Sequence, residues 1–282
     1  MNEHLSLKKE CDEIESEIES ELEDVKSVIE VKQHNINYRR GTYYISVKGP
    51  KKRKNNVMLN RVVNFYNKQA NGHAEFIKTE NHSQANYTLN YKPGRRNSSV
   101  NRIGQYSLKV SLHETGHWLK LNHCYGWRRK WRGRLLHDQR TIMSGDASGR
   151  TRLLGSHLYR LGWLGDNYQV ATHKEQIATI TKLDDRYNNQ SITNSYAFVI
   201  PYELWQAQDK QNPNAKNKPS AVLCWEVSGP NAPLSLNALY DGGNRFVKRI
   251  KDQFHYERFN IKITIIKVQD NQVVFKIECL NK

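Results

Sequence analysis

A chain of 282 residues with 44 Lys and Arg against 28 Asp and Glu carries a formal charge of +16, and it is long enough to bury two cores without covalent staples. Its four cysteines, Cys11, Cys124, Cys224 and Cys279, are scattered with no CxxC pair, which excludes a disulfide-scaffold class. No apolar run approaches membrane-span length and the opening MNEHLSLKKECDEIE has no signal-peptide core, so the expectation is a protein with no membrane association, cytoplasmic at synthesis and released by lysis or packaged into a particle.

Charge is divided unevenly. Residues 1–30 hold eleven acids against Lys8, Lys9 and Lys26, a net of −8, which leaves +24 for the remainder. Cys11, Ile14, Ile18, Leu22, Val25 and Ile29 recur at spacings of three and four. Residues 1–36 therefore read as an acidic amphipathic helix. Packing on the rest of the chain, self-association as a coiled coil, and latency are the roles open to it.

From residue 37 to 167 the pattern alternates strand and helix. Thr42 to Lys48 reads as a strand, and Asn56 to Asn67 as a helix with Val57, Leu59, Val62, Val63 and Tyr66 on one face. Ala74 to Lys78 and Tyr87 to Tyr91 read as short strands, followed by a turn at Pro93-Gly94.

Ser107 to Leu121 reads as the helix that carries the chemistry. His113-Glu114-Thr115-Gly116-His117 is an HExxH motif. Histidines four residues apart lie one above the other on a helix and can aim two nitrogens at one metal ion. Glu114 falls beside that ion, where a carboxylate serves as general base toward an attacking water. His123, six residues beyond His117, supplies a third nitrogen if the helix ends near Leu121 and the chain turns back. Three protein ligands with an open fourth position characterise a catalytic Zn²⁺ site, whereas a structural site is closed by four. HExxH arises by chance in a chain of this composition with a probability on the order of a few per cent, and the third histidine lowers that to roughly one in a thousand.

The loop Trp127-Arg128-Arg129-Lys130-Trp131-Arg132-Gly133-Arg134 places five cations and two indoles directly after the third histidine. Such interleaving suits a solvated cleft rim, an acidic peptide or protein, or nucleic acid. Thr141-Ile142-Met143-Ser144-Gly145 follows, with one of only three methionines in the chain.

HExxH with a third downstream histidine and then a methionine-bearing turn resembles the metzincin zinc peptidases, and within them the gametolysin-like family. The similar residues are His113, Glu114, Gly116, His117, Leu121 and His123, with Met143 at the Met-turn and Ser156 to Leu164 resembling the helix that ends in a Gly-Trp pair, here Gly162-Trp163. The resemblance implies Met143 as an apolar floor under the imidazoles, and an edge strand, Tyr87 to Tyr91, holding an extended substrate by main-chain pairing through Tyr87, Leu89 and Tyr91. It departs at Lys120, where that family has the glycine that turns the chain toward the third ligand. Asn122 tolerates a left-handed backbone better than most residues and is the expected new position of the turn. Asp138 and Asp146 are the nearest carboxylates should His123 fall short. Cys11 suggests latency through a thiolate on the metal, but its neighbours Lys-Glu-Cys-Asp-Glu do not resemble the peptide used for that purpose.

Beyond residue 168 the texture is β-rich. Gln176 to Ile180, Tyr196 to Ile200, Ala221 to Val227, Ile261 to Val268 and Val273 to Cys279 alternate as strands, and Asp270-Asn271 suits a two-residue hairpin turn. The expected class is α+β, a metzincin-like domain with a twisted mixed sheet and active-site helix, followed by a β-sandwich-like domain over 168–282. The expected function is zinc-dependent endopeptidase, with a peptide or protein as substrate. The alternative is an inactive scaffold, structural or particle-associated, as in a virion, whose basic surface meets acidic partners.

Overall fold

A computed structural model describes residues 39–49, 51–91, 102–103, 107–129, 135–137, 140–144, 151–183, 195–201, 204, 220–225, 234–240, 243–256, 260–269 and 271–280. The acidic segment 1–36, Asp138, Asp146 and the loop tip from Lys130 to Arg134 lie outside the described residues. No helix among the described residues is long and apolar enough to cross a membrane.

Strand β1 (Gly41–Lys48) runs into helix α1 (Lys52–Ala70) and returns as β2 (Ala74–Lys78), parallel to β1. Asn55, Leu59, Val62, Val63, Tyr66 and Ala70 form the buried stripe of α1, the three-and-four spacing of an amphipathic helix. Val57, expected on that stripe, lies off it and is 49% exposed. The helix stops at Asn71, whose left-handed φ of 47° is the conformation asparagine tolerates at a C-terminal cap.

β3 (Tyr87–Tyr91) pairs with the other side of β1, and β4 (Arg102–Ile103) with β3, giving the order β2-β1-β3-β4. Every pairing described in this sheet is parallel, which corrects the expected mixed sheet. β3 is also not the outer strand. β1 pairs with it from Tyr87 to Asn90, and β4 takes its other side at Asn90 and Tyr91. Tyr87, Leu89 and Tyr91 are buried because this alternating apolar face packs beneath helix α2 (Leu108–Trp118), where the Tyr91 hydroxyl lies 2.5 Å from Ser111 Oγ. Those three residues build the core under the site, and β4 takes the outer position expected of them.

Two further sheets form a sandwich. The larger has the order β6-β5-β12-β11-β10-β9-β7, from β5 (Cys124–Arg129), β6 (Leu135–His137), β7 (Tyr168–Val170), β9 (Ala197–Ile200), β10 (Ser220–Cys224), β11 (Leu234–Tyr240) and β12 (Gly243–Ile250). The smaller is β13-β14-β15-β8, from β8 (Glu175–Thr181), β13 (Gln253–Tyr256), β14 (Ile261–Gln269) and β15 (Gln272–Cys279). Along β15 the buried residues Val273, Phe275, Ile277 and Cys279 alternate with Val274, Lys276 and Glu278, so one face enters the core and the other carries ion pairs from Lys276 to Glu175 and Glu278. Phe275 meets Phe198 of β9 edge to face at 5.4 Å, joining the two inner faces. The β14–β15 pair closes with Gln269 opposite Gln272, the register that a two-residue connection requires.

Helix α3 (Gly155–Leu161) links the two halves. It lies on the second face of β9 and β10, which explains why β9 is buried on both faces. A Cβ on Gly155 would fall within contact of Cys224 Sγ, so glycine permits the close approach. β5 and β6 belong by sequence to the first half and by pairing to the second half's sheet. Residues 37–282 accordingly cluster as one unit, with no clean division at residue 167.

Candidate metal centre

Helix α2 brings His113 and His117 to one face, and its end brings the chain back to His123. Lys120 takes a left-handed φ of 67°. Leu121 N–H then donates to Gly116 O and Lys120 N–H to His117 O, both at 2.9 Å, the paired bonds of a Schellman motif. The turn therefore stays at Lys120, despite its Cβ. It has not moved to Asn122, which has no positive φ. The reason is geometric: these two bonds satisfy the last carbonyls of α2 only if the residue right after Leu119 is left-handed.

His123 itself is fixed from the other side. The next residue, Cys124, begins β5; its N–H donates to Met143 O at 2.7 Å, it bridges Ser144, and it stands in register with Asn244 of β12. His123 is thus held between a helix end and a three-way strand junction.

The three imidazoles converge. His113 Nε2 lies 3.0 Å from His117 Nε2 and 3.2 Å from His123 Nε2, and the three candidate ligand atoms all fall within 4.8 Å of one another. Nitrogens at the corners of a zinc tetrahedron with bonds of about 2.0–2.1 Å stand about 3.3 Å apart. The outer nitrogens decide the tautomers. His113 Nδ1 is 2.9 Å from Ile142 O and His117 Nδ1 is 2.7 Å from Leu121 O. A carbonyl can only accept, so both Nδ1 atoms carry the proton and both Nε2 atoms of the neutral rings present bare lone pairs. Lone pairs 3 Å apart repel. A shared proton relieves one pair, whereas a cation relieves all three at once, and a carbonyl behind the ring, as at His113 and His117, is a usual outer support of a metal-bound histidine. His113, His117 and His123 could therefore hold a metal ion.

Beneath them, Arg140 to Ser144 is buried throughout. Met143 is fully buried, and a Cβ on Gly116 would collide with its Sδ. Gly116 is thus the gap in α2 that admits Met143 against the turn between His113 and His117. Tyr66 adds a second brace from α1, its hydroxyl donating to Leu112 O at 2.6 Å.

Glu114 is half-buried beside His117. Trp118, four residues on, shares its side of the helix and stacks on Tyr87 with ring centres 5.1 Å apart. Burial pushes the Glu114 carboxyl above its usual range. The Tyr87 hydroxyl is also raised, by burial first and by Glu114 second.

No protein-family model, curated protein or solved structure matches this chain. The site accordingly rests on its own geometry.

Sequence reasoning picked out the three histidines, Glu114 and Met143. It missed the Ile142 and Leu121 carbonyls, because main-chain acceptors leave no trace in residue type. It also missed the aromatic wall of Trp118 and Tyr87, although the i, i+4 spacing of Glu114 and Trp118 was there to be read.

Proposed function

We propose that the protein is a zinc-dependent endopeptidase of metzincin type. What carries this reading is the convergence of three histidine Nε2 atoms while two of the opposing Nδ1 atoms are committed to backbone carbonyls. A three-histidine set suits Zn²⁺ among the available metals and leaves room for a non-protein ligand. When bound, zinc supplies a Lewis acid for the scissile carbonyl and lowers the pKa of the attacking water.

The remaining work falls to the chain. The Glu114 carboxylate takes a proton from the water as its oxygen bonds to the carbonyl carbon. Glu114 then delivers that proton to the amine nitrogen as the C–N bond breaks, leaving a carboxylic acid and an amine. Its partial burial favours the protonated state needed for that return. Ile142 and Leu121 keep the rings of His113 and His117 from rotating, and buried Met143 keeps α2 from sinking.

The test pairs metal analysis with a peptide-library digest on wild type and Glu114→Gln. One zinc per chain in both proteins is expected, with cleavage by wild type and a loss of about 10²-fold or more in the variant. Full activity of Glu114→Gln contradicts its assigned role. Stoichiometric zinc with no cleavage by wild type favours the inactive scaffold.

A further inference from the structure

Helix α1 turns one stripe into the core and the opposite one to solvent. Its cations Arg53, Lys54, Arg61 and Lys68 and its amides Asn60 and Asn64 are all exposed. At about 100° per residue these six side chains fall within an arc of about 120°. The arc directly across the helix holds the buried Asn55, Leu59, Val62, Tyr66 and Ala70, so the cations share one solvent face. Among the described residues of α1, Val57 is the only exposed large apolar side chain.

The sign of that face is unmixed. Over its 19 residues α1 contains no Asp or Glu, and among the described residues no carboxylate pairs with Arg53, Lys54 or Arg61. A helix face that only meets water ordinarily intersperses both charges, which gives favourable pairs four residues apart. Arg53 and Lys54 also stand in the first turn, where the macrodipole favours acids, and Lys51 supplies no side-chain cap. Helix stability therefore argues against this arrangement, and a polyanion outside the chain relieves it.

We infer that the exposed face of α1 binds the phosphate backbone of duplex DNA without regard to sequence. From Arg53 to Lys68 the helix rises about 22 Å, a length over which the duplex presents about a dozen phosphates. Lys, Arg and Asn are side chains that contact phosphate oxygens. A protein partner or a lipid surface calls for an apolar or aromatic centre, and a single strand for aromatic platforms; this face offers only Val57. The B-form major groove admits a helix, whereas the A-form groove of duplex RNA is too narrow for one. The net +24 outside the first thirty residues adds long-range attraction. None of this rests on the peptidase reading.

The experiment uses the full chain. Anisotropy of a fluorescein-labelled DNA duplex of about 20 random base pairs is read between about 50 and 500 mM salt, alongside duplex RNA, single-stranded RNA, a poly-Glu peptide and phosphatidylserine vesicles. Four phosphate contacts give a slope of log affinity against log salt of about −3.6, a loss of about 10²-fold between 50 and 200 mM. Arg53→Gln/Lys54→Gln/Arg61→Gln should make that slope shallower by about 2.7 and weaken binding at least tenfold at the lowest salt. Glutamine matches Arg and Lys in helix propensity, and Arg61→Gln alone, expected to change the slope by about 0.9, serves if the triple variant unfolds. Lys251→Gln/Lys267→Gln, which neutralises two exposed lysines of the second half, should leave slope and affinity unchanged. Absence of DNA binding at the lowest salt overturns the inference, as does an unaltered slope in the α1 variants or an equal change in the control. Tighter binding of either RNA, the peptide or the vesicles than of duplex DNA overturns the choice of partner.

Discussion

Replacing Lys120 by glycine should stabilise the protein, against the usual expectation for a change to glycine. Lys120 is exposed and has φ 67°, a conformation that costs a residue with a Cβ about 1–2 kcal/mol. Glycine removes that strain but returns about 0.5–1 kcal/mol through the greater freedom of its unfolded chain. A net gain of about 0.5–1 kcal/mol remains, which for a chain of this size raises Tm by about 1–3 °C. Lys120→Val should move the other way, because a β-branched residue is a steric outlier at positive φ. Asn122→Gly is the control: its backbone has no positive φ, so glycine adds only unfolded-state entropy and lowers stability by about 0.5–1 kcal/mol. The measurement is reversible thermal or urea unfolding of the three variants against wild type. A loss of stability in Lys120→Gly, or a gain in Asn122→Gly, refutes the assignment of the left-handed turn to residue 120.

Gly116→Ala gains helix propensity of about 0.8–1 kcal/mol but drives a methyl into Met143, an overpacking cost of about 1–3 kcal/mol; the same change made in a Met143→Ala background should turn stabilising, and a double-mutant cycle in urea reads the reversal. Zinc at about a thousand times its Kd should stabilise wild type by about 4 kcal/mol, and a chelator should remove this gain. The same zinc should leave His113→Ala, His117→Ala and His123→Ala unchanged in thermal unfolding, and an equal response in His123→Ala would exclude it from the ligand set.

Much of the fold was legible because its cause is local. The alternation in Tyr87 to Tyr91 and Val273 to Cys279, the apolar spacing in α1 and the turn at Asp270-Asn271 each encode one element. The β11–β12 hairpin was not foreseen. Its second strand, GNRFVKRI, mixes cations with apolar residues without clean period-two alternation, and a bulge where Leu236 faces Lys248 and Asn237 faces Phe246 breaks the phase. The same mixture in CYGWRR makes β5 read as a basic loop.

The site divides along the same line. Four-residue spacing on a helix is a local rule, so His113 and His117 were bound to share a face, and Glu114 to stand beside them. His123 obeys no such rule. Its place depends on a left-handed lysine that residue preference argues against, and on Cys124 being pinned at once to Met143 and to a strand more than a hundred residues away. Short-range geometry is written into neighbouring residues, whereas the closing of a long loop onto a third nitrogen is decided by the free energy of packing the whole sheet.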